Sequence, residues 1–253
     1  MQQIKTTDLT DTQIRDIHRL ETACQIHDSI SLTFPIEENT VYFLLYDEDV
    51  LLSALSAFFN GEDAWECSAF TLPEYRNRGC FTRLMDSFLD DAGEYDVIFT
   101  VDEKCIDTGK TLKALEAELW YHEYLMEFLL PAGITVPKPG KESRLSYFPG
   151  LETVFPAGDM EFQIMEGSLP VGNFHLSVHG DRVYFYGFEI KEEFRRQGLG
   201  SAALTLLLND LTQLHETIVK SVYLQVSGNN EPAVALYKKT GFQITETISY
   251  YLY

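Results

Sequence analysis

The chain has 253 residues, is 45% hydrophobic and carries 39 acidic against 19 basic side chains, which gives a formal net charge of -20 at pH 7. This length and apolar content can bury a sizeable core. The net charge opposes nonspecific binding to nucleic acid or anionic lipid through long-range repulsion, so we expect neither a nucleic-acid nor a membrane partner.

The N-terminal segment from Met1 to Asp16 alternates polar and charged residues and lacks the apolar stretch of a signal peptide. No later segment is apolar over the length that a membrane-spanning helix needs. All four cysteines lie in the first half without paired or metal-type spacing. This pattern favours free thiols in the cytoplasm and predicts no metal site.

The first half predicts a mixture of helices and strands. Apolar residues recur at helical spacing between Asp11 and His27 and predict an amphipathic helix, capped by Thr10 or Asp11. The elements after it are predicted as strands at 41–46, 51–59, 64–72, 97–101 and 120–130 and helices at 79–91 and 111–119. Residues 131–140 contain three prolines and two glycines, which break regular structure. We therefore predict two domains, 1–135 and 141–253.

The second half repeats this alternation. Its predicted strands are 143–148, 161–166, 172–178, 182–190, 219–226 and 242–253, and its predicted helices are 198–215 and 231–240. Val183–Ile190 is nearly continuous apolar and aromatic sequence, which is typical of a central strand covered on both faces.

One short sequence occurs in both halves. Pro73–Gly79 matches Glu192–Gly198 because an aromatic residue, an arginine, two polar residues and a glycine follow each other in the same order. Arg76 and Arg195 set the offset at 195 − 76 = 119 residues. An offset near half the chain is typical of duplication of one α/β unit rather than of a solenoid. We predict two similar domains.

The strongest site signal follows the apolar segment and consists of Arg195, Arg196, Gln197, Gly198, Leu199 and Gly200. The two glycines let the backbone approach a ligand closely where the chain turns into a helix. Free N–H groups and the helix dipole at this point attract a pyrophosphate, and the two arginines add positive charge. The segment differs from the dinucleotide fingerprint, since it lacks the first glycine and the ribose-binding acid.

A second signal lies on the helix predicted at 231–240. Asn230 can cap this helix and Gly241 can end it. Asn230, Ala233 and Tyr237 are three and four residues apart and therefore share one face. Tyr237 supplies a phenol whose ordinary pKa, about 10, is close to that of an alkyl thiol, which suits an acid for a leaving thiolate.

These residues resemble the GNAT superfamily of acyl-CoA N-acyltransferases, closely over 183–201 and 226–242 and loosely over the rest of the C-terminal half. The resemblance implies two tandem GNAT-like domains of the α/β (α+β) class, each a mixed, mostly antiparallel twisted sheet flanked by helices. It implies acetyl-CoA as co-substrate, no metal, and direct transfer of an acetyl or short acyl group to a primary amine.

The resemblance also assigns roles to residues. Cofactor contacts fall on the backbones of Phe188 and Ile190 for pantetheine and the acyl carbonyl, on Arg195, Arg196, Gln197, Gly198, Leu199 and Gly200 for the pyrophosphate, on the adjoining Ser201, and on Asn230. Tyr237 becomes the general acid, with a core tyrosine as the alternative. Glu189, beside the reacting centre, is our candidate base, directly or through water, with an ordinary paired carboxylate as the alternative.

The first copy departs from the family pattern at two positions. Phe81 stands where Gly200 stands, and Leu115 falls opposite Tyr237 when residues 111–115 are aligned with 233–237. We therefore expect a degenerate N-terminal GNAT-like domain with a structural or acceptor-site role and an acyl-CoA-binding C-terminal domain. Residual CoA binding by the first copy stays open.

Two other functions also stay open. One is a CoA-binding regulatory module without catalysis, and the other is an acetyltransferase for protein N-termini or lysines. The acidic composition favours a cationic small-molecule amine as the acceptor. The sequence decides neither the identity of that amine nor the oligomeric state.

Overall fold

The computed structural model describes residues 1–61, 63–130, 145–151, 158–214 and 219–253. Its first-half elements are β1 (Gln2–Thr6), α1 (Asp11–Asp28), β2 (Thr40–Asp47), β3 (Val50–Phe59), β4 (Ala64–Thr71), α2 (Cys80–Ala92), β5 (Asp96–Asp102), α3 (Ile106–Leu115) and β6 (Glu118–Leu129). Its second-half elements are β7 (Leu145–Phe148), β8 (Asp159–Glu166), β9 (Leu169–His179), β10 (Arg182–Ile190), α4 (Leu199–Leu214), β11 (Ser221–Ser227), α5 (Glu231–Lys239) and β12 (Gln243–Leu252).

The predicted elements are confirmed in type and order, with two differences. β1 is a strand that the sequence pattern did not predict, because Ile4 is its only aliphatic residue. α3 begins earlier than predicted and ends at Leu115, because Glu116 adopts a left-handed φ of 58° and its N–H bonds back to the carbonyl of Leu112. The predicted linker at 131–140 lies outside the described residues.

The helices follow the amphipathic pattern. Thr10 caps α1 through a capping box with Gln13, and the helix buries Ile17, Leu20 and Cys24. Among the parts of the chain that the structure describes, no helix combines the length and apolar content needed to cross a membrane.

The described chain forms two compact units. Unit 1 comprises Met1–His122 with Thr247–Tyr253, and unit 2 comprises Glu123–Glu246. These units do not follow the predicted domain boundaries, because β6 and β12 each contribute residues to both units. Within unit 1, β12 pairs with β5 over 248–252, and within unit 2, β6 pairs with β11 over 123–129.

Unit 1 is a sheet with the strand order β1-β2-β3-β4-β5-β12. Its strands are antiparallel except for the parallel pair β4 and β5. Alternate residues of β2 face opposite sides, so that Phe43 and Leu45 pack in the core beneath α2, while Tyr42 and Leu44 pack in the core beneath α1.

Unit 2 has the strand order β6-β11-β10-β9-β8-β7, with β10 and β11 as its parallel pair. Phe162, Phe174 and Phe185 from three neighbouring strands form one core with the leucines of α4 and with Tyr237 of α5. The predicted mixed, mostly antiparallel sheet flanked by helices is therefore confirmed in both units.

Candidate active site

The turn between β10 and α4 follows a backbone path that its own residues determine. A 3-10 turn at Glu192–Phe194 leads to Arg196 and Gly198, which adopt positive φ angles of 61° and 81°. Glycine takes this left-handed conformation without a Cβ penalty. α4 begins at Leu199, and the N–H groups of its first turn have no acceptor within the helix.

The turn between β4 and α2 repeats this path at the predicted offset. Its 3-10 turn is Pro73–Tyr75 and α2 begins at Cys80, each 119 residues before its counterpart. Arg76 donates from Nε to the backbone carbonyl five residues earlier at 3.2 Å, and Arg195 makes the same bond at 2.7 Å. The match of the two sequences is therefore also a match of the two backbones.

β10 and β11 separate partway along β10. They pair only over 182–184 and 221–223, although β10 continues to Ile190. Beyond Tyr184, the edge of β10 that faces β11 has no strand partner among the described residues. Its polar backbone groups can therefore bind a ligand, apart from the Ile190 carbonyl, which accepts from Nε of Arg195 at 2.7 Å. Phe188 and Ile190, predicted to contact pantetheine, lie in this stretch.

Gly200 lies where the end of β10 approaches α5. A Cβ atom at this position would be 3.5 Å from Leu236 and 3.7 Å from both Ile190 and Phe188. Any side chain larger than alanine would therefore fill the space between these three residues. The glycine thus leaves a cradle about one methyl group wide, beside the helix N-terminus at which the phosphates of CoA are predicted to bind.

The other predicted cofactor contacts surround this cradle. Arg195, Arg196 and Gln197 are exposed, and Leu199 and Ser201 are half-buried in the first turn of α4. Gln197 donates from Nε2 to the carbonyl of Glu193 at 3.2 Å, which holds the turn closed. The arginines give this end of the helix a positive charge.

Glu189 forms an ion pair at the surface. Its Oε1 accepts from a guanidinium nitrogen of Arg195 at 3.0 Å, and the two side chains are 61% and 53% exposed. An exposed pair of this kind is weak and exchanges readily. The carboxylate is therefore paired, and its role as a base remains a prediction.

Asn230 and Tyr237 lie at opposite ends of one face of α5. The Asn230 side chain caps the helix by accepting from the N–H of Ala233 at 3.3 Å. Tyr237 is buried, with its ring edge-on to Phe185 at a centroid distance of 6.4 Å. Phe185 directly follows the last residue of β10 that pairs with β11, which places the phenol beside the point where the strands separate.

Burial raises the pKa of Tyr237 to about 12. The raised pKa exceeds the ordinary phenol value of about 10, and that ordinary value is the one that is close to the pKa of an alkyl thiol. The hydroxyl is thus fully protonated at neutral pH, but it is a weaker acid than a phenol in water.

A β-bulge in β10, between Tyr186 and Glu189, was not predicted. Gly187 has a φ of 60°, and a Cβ there would lie 2.6 Å from Nδ1 of His175, a buried atom without a hydrogen-bond partner among the described residues. A Cβ at Gly172 on the facing strand would lie 2.2 Å from the Glu189 carbonyl oxygen. A glycine inside an apolar strand is the signal that could have revealed the bulge.

The sheet face of unit 2 opposite α4 and α5 is aromatic and acidic, which was also not predicted. Its rings stack in a row at centroid distances of 5.1, 5.1 and 4.9 Å, in the order Tyr223, Tyr184, Tyr186 and His175. The Tyr186 hydroxyl donates to Asp159. Burial, followed by Tyr223 and the carboxylate of Glu123, raises the pKa of Tyr184.

The first copy lacks several of these features. Phe81 occupies the position of Gly200 and packs edge-on to Phe99 at 6.4 Å. α3 ends on Leu115 and contains no tyrosine. β4 pairs with β3 over 65–71 without a register shift, so this strand has no equivalent of the Gly187 bulge.

In the described ranges, no group of three or more His, Cys, Asp or Glu side chains could hold a metal ion. His179, the nearest histidine to His175 along β9, instead hydrogen-bonds the hydroxyl of Tyr223 at 2.7 Å.

Residues 156–242 match the model of the acetyltransferase (GNAT) family. Two curated relatives share short regions with the chain. N-alpha-acetyltransferase 60 of Drosophila melanogaster is 32% identical over 27% of this chain and 25% of its own length. Spermine/spermidine N(1)-acetyltransferase of Bacillus subtilis is 33% identical over 37% of this chain and 59% of its own length. The chain thus spans between a quarter and three-fifths of these relatives.

Two solved structures share the fold over nearly the whole chain. A GCN5-related N-acetyltransferase from Sphaerobacter thermophilus has a TM-score of 0.72 at 13% identity and covers 99% of this chain and 95% of its own. A tandem GNAT protein from the clavulanic acid biosynthesis pathway has a TM-score of 0.67 at 13% identity and covers 100% and 98%. Both halves of the chain therefore have the fold found in such tandem proteins.

Proposed function

Because this chain belongs to the GNAT superfamily, we propose that it transfers an acetyl or other short acyl group directly from acyl-CoA to a primary amine. The observation that carries this proposal is the separation of β10 from β11 beside the glycine-containing N-terminus of α4. The unpaired strand edge suits the amides of the pantetheine arm, and the helix N-terminus suits its phosphates. We assign this site to the C-terminal domain, 141–253, because Gly200 leaves the cradle open there.

Bound acetyl-CoA would supply a thioester carbonyl, whose C–S bond breaks as the new N–C bond to the amine forms. The backbone N–H groups on the free edge of β10 polarise that carbonyl. Tyr237 holds the proton that the leaving sulfur requires, because burial keeps its phenol protonated at neutral pH. Glu189 accepts a proton from the attacking amine, directly or through water, when the cationic acceptor displaces Arg195.

We propose a cationic small-molecule amine as the acceptor. The stacked tyrosines of unit 2 and the carboxylates of Asp159 and Glu123 form a surface that attracts an ammonium group through its charge and through the ring faces. The formal net charge of -20 adds long-range attraction for such a molecule. The polyamine-acetylating relative from Bacillus subtilis is consistent with this class.

The reaction is proposed to take place in the cytoplasm. All four cysteines are free thiols, and three of them are buried. Free thiols suit a reducing compartment.

The test is thiol release from acetyl-CoA across a panel of monoamines, diamines and peptides with free N-termini. We expect turnover on small cationic amines and its loss in Tyr237→Phe. Binding of CoA without turnover on any amine would favour the regulatory module, and turnover on peptides alone would favour the protein acetyltransferase. A chain that binds no CoA would refute the proposal altogether.

A further inference from the structure

Unit 1 contains a cavity of about 320 Å³ at the position that corresponds to the acyl-CoA site of the second copy. Residues from the C-terminal end of α1, the ends of β4 and β5, the turn before α2, and α3 line this cavity. Its volume is in the range of small-molecule sites. The first copy therefore has a cavity at this position, although Phe81 and Leu115 stand where the second copy has Gly200 and Tyr237.

The chemistry of this cavity no longer suits a phosphate. Arg76 is held by both carboxylate oxygens of Asp28, at 2.9 and 2.6 Å, and lies 3.5 Å from Asp107. The Arg76 and Asp28 side chains are only 12% and 7% exposed. The guanidinium is thus already neutralised within the protein, whereas the one carboxylate that pairs with Arg195 among the described residues, Glu189, is exposed.

One carboxylate in the cavity wall has an unused oxygen. Asp102 is 2% exposed, and its Oδ1 accepts from the N–H of Lys104 at 2.9 Å. Its Oδ2 is buried and has no hydrogen-bond partner among the described residues. A buried carboxylate oxygen without a donor is costly, and a ligand with an N–H group would remove that cost.

The cavity as a whole is acidic with an apolar wall. Its charged residues are Asp28, Asp102 and Asp107 against Arg76 and Lys110, which leaves one unbalanced negative charge. Phe81, Phe99 and Leu115 are among its apolar residues. Such a lining repels a pyrophosphate and suits a compact cation with a hydrocarbon body.

We propose that this cavity binds a small organic ammonium ligand, whose N–H group donates to Oδ2 of Asp102 and whose hydrocarbon part packs against Phe81 and Phe99. The site is separate from the acyl-transfer site. Its existence does not depend on the proposed function, since it requires neither CoA binding nor catalysis by the second copy.

The test uses the full chain and calorimetric titration with 2-phenylethylammonium, butylammonium and the uncharged 2-phenylethanol. Both ammonium ions should bind the wild type, and 2-phenylethanol should bind more weakly. Asp102→Asn keeps the size of the side chain and its bond from Lys104 but removes the charge, so ammonium binding should weaken by about 10- to 100-fold. Thermal unfolding verifies that the variant is folded.

Asp181→Asn is the matched control in unit 2, because Asp181 is an exposed carboxylate paired with Lys220 outside both sites, and it should leave this binding unchanged. The proposal would be overturned by any of four results: no ammonium ion binds, 2-phenylethanol binds as tightly as 2-phenylethylammonium, Asp102→Asn binds like the wild type, or Asp181→Asn loses the binding. Loss of acetyl transfer with intact ammonium binding would instead refute only the proposed function.

Discussion

Replacing Gly200 tests the proposed CoA site most directly, because the chain itself carries phenylalanine at the equivalent position of its first copy. A Cβ at Gly200 would make ordinary contacts of 3.5 to 3.7 Å, so Gly200→Ala fits without any shift. Alanine also removes the conformational freedom of a helical glycine and should stabilise the fold by up to about 1 kcal/mol. Gly200→Ala is therefore the control that should keep CoA binding.

Gly200→Phe should abolish CoA binding. The ring must extend beyond Cβ into the space bounded by Leu236, Ile190 and Phe188, which we assign to the arm of CoA. If the ring displaces the phosphates from two first-turn N–H groups, each lost charged hydrogen bond removes about 1.5 to 3 kcal/mol of binding free energy. The combined loss of about 3 to 6 kcal/mol corresponds to at least a 100-fold higher Kd.

Calorimetric titration with CoA measures this difference, and thermal unfolding verifies that each variant is folded. We expect wild-type affinity in Gly200→Ala and no measurable binding at the second-copy site in Gly200→Phe. A folded Gly200→Phe protein with the wild-type Kd would show that the CoA site lies elsewhere.

Three further predictions concern the site and its duplicate. Tyr237→Phe should lower the rate of thiol release by about 100-fold with an unchanged Kd for CoA. In the wild type, burial raises the pKa of Tyr237 to about 12. The wild-type rate should therefore show no decline from deprotonation of this group between pH 7 and 10. Gly172→Ala should destabilise the protein by more than about 2 kcal/mol in urea titration, because the new Cβ would lie 2.2 Å from a backbone oxygen. Arg76→Ala should cost about 3 kcal/mol by removing the bidentate partner of buried Asp28 and leaving it only the exposed His27, whereas Arg195→Ala, at the exposed equivalent, should cost less than about 1 kcal/mol. Burial alone would raise the pKa of Asp28, but Arg76 and His27 lower it below 3.8, so wild-type stability should fall as the pH drops from about 4 through that lower value. Arg76→Ala should reduce this acid dependence, because only His27 remains to lower the pKa.

The duplicated turn could be predicted from sequence because its determinants are local. The glycine at a positive φ, the arginine that bonds five residues back and the start of the helix all lie within about ten residues of each other. The same is true of α5, where Asn230 and Gly241 mark both ends of the helix. The features that departed from the predictions made from local patterns include β1, both ends of α3 and the bulge in β10.

Features that depend on distant residues could not be predicted in this way. Arg76 and Asp28 are 48 residues apart, and no pattern identifies such a pair in advance. The raised pKa of Tyr237 depends on how completely the surrounding core excludes water. The pairing of strands could not be predicted either, because alternating apolar and polar residues predict a strand but not which strand lies beside it.

The division of β12 has a consequence for how the protein is made. Residues 248–252 complete the sheet of unit 1 by pairing with β5, yet the ribosome adds them only after all of unit 2. During synthesis, one edge of β5 therefore stays unpaired and exposed until about 145 further residues have been translated, which takes on the order of 10 s. An unpaired strand edge can pair with other chains. We therefore expect the nascent protein to be prone to aggregation and to benefit from a chaperone, although both finished units are compact.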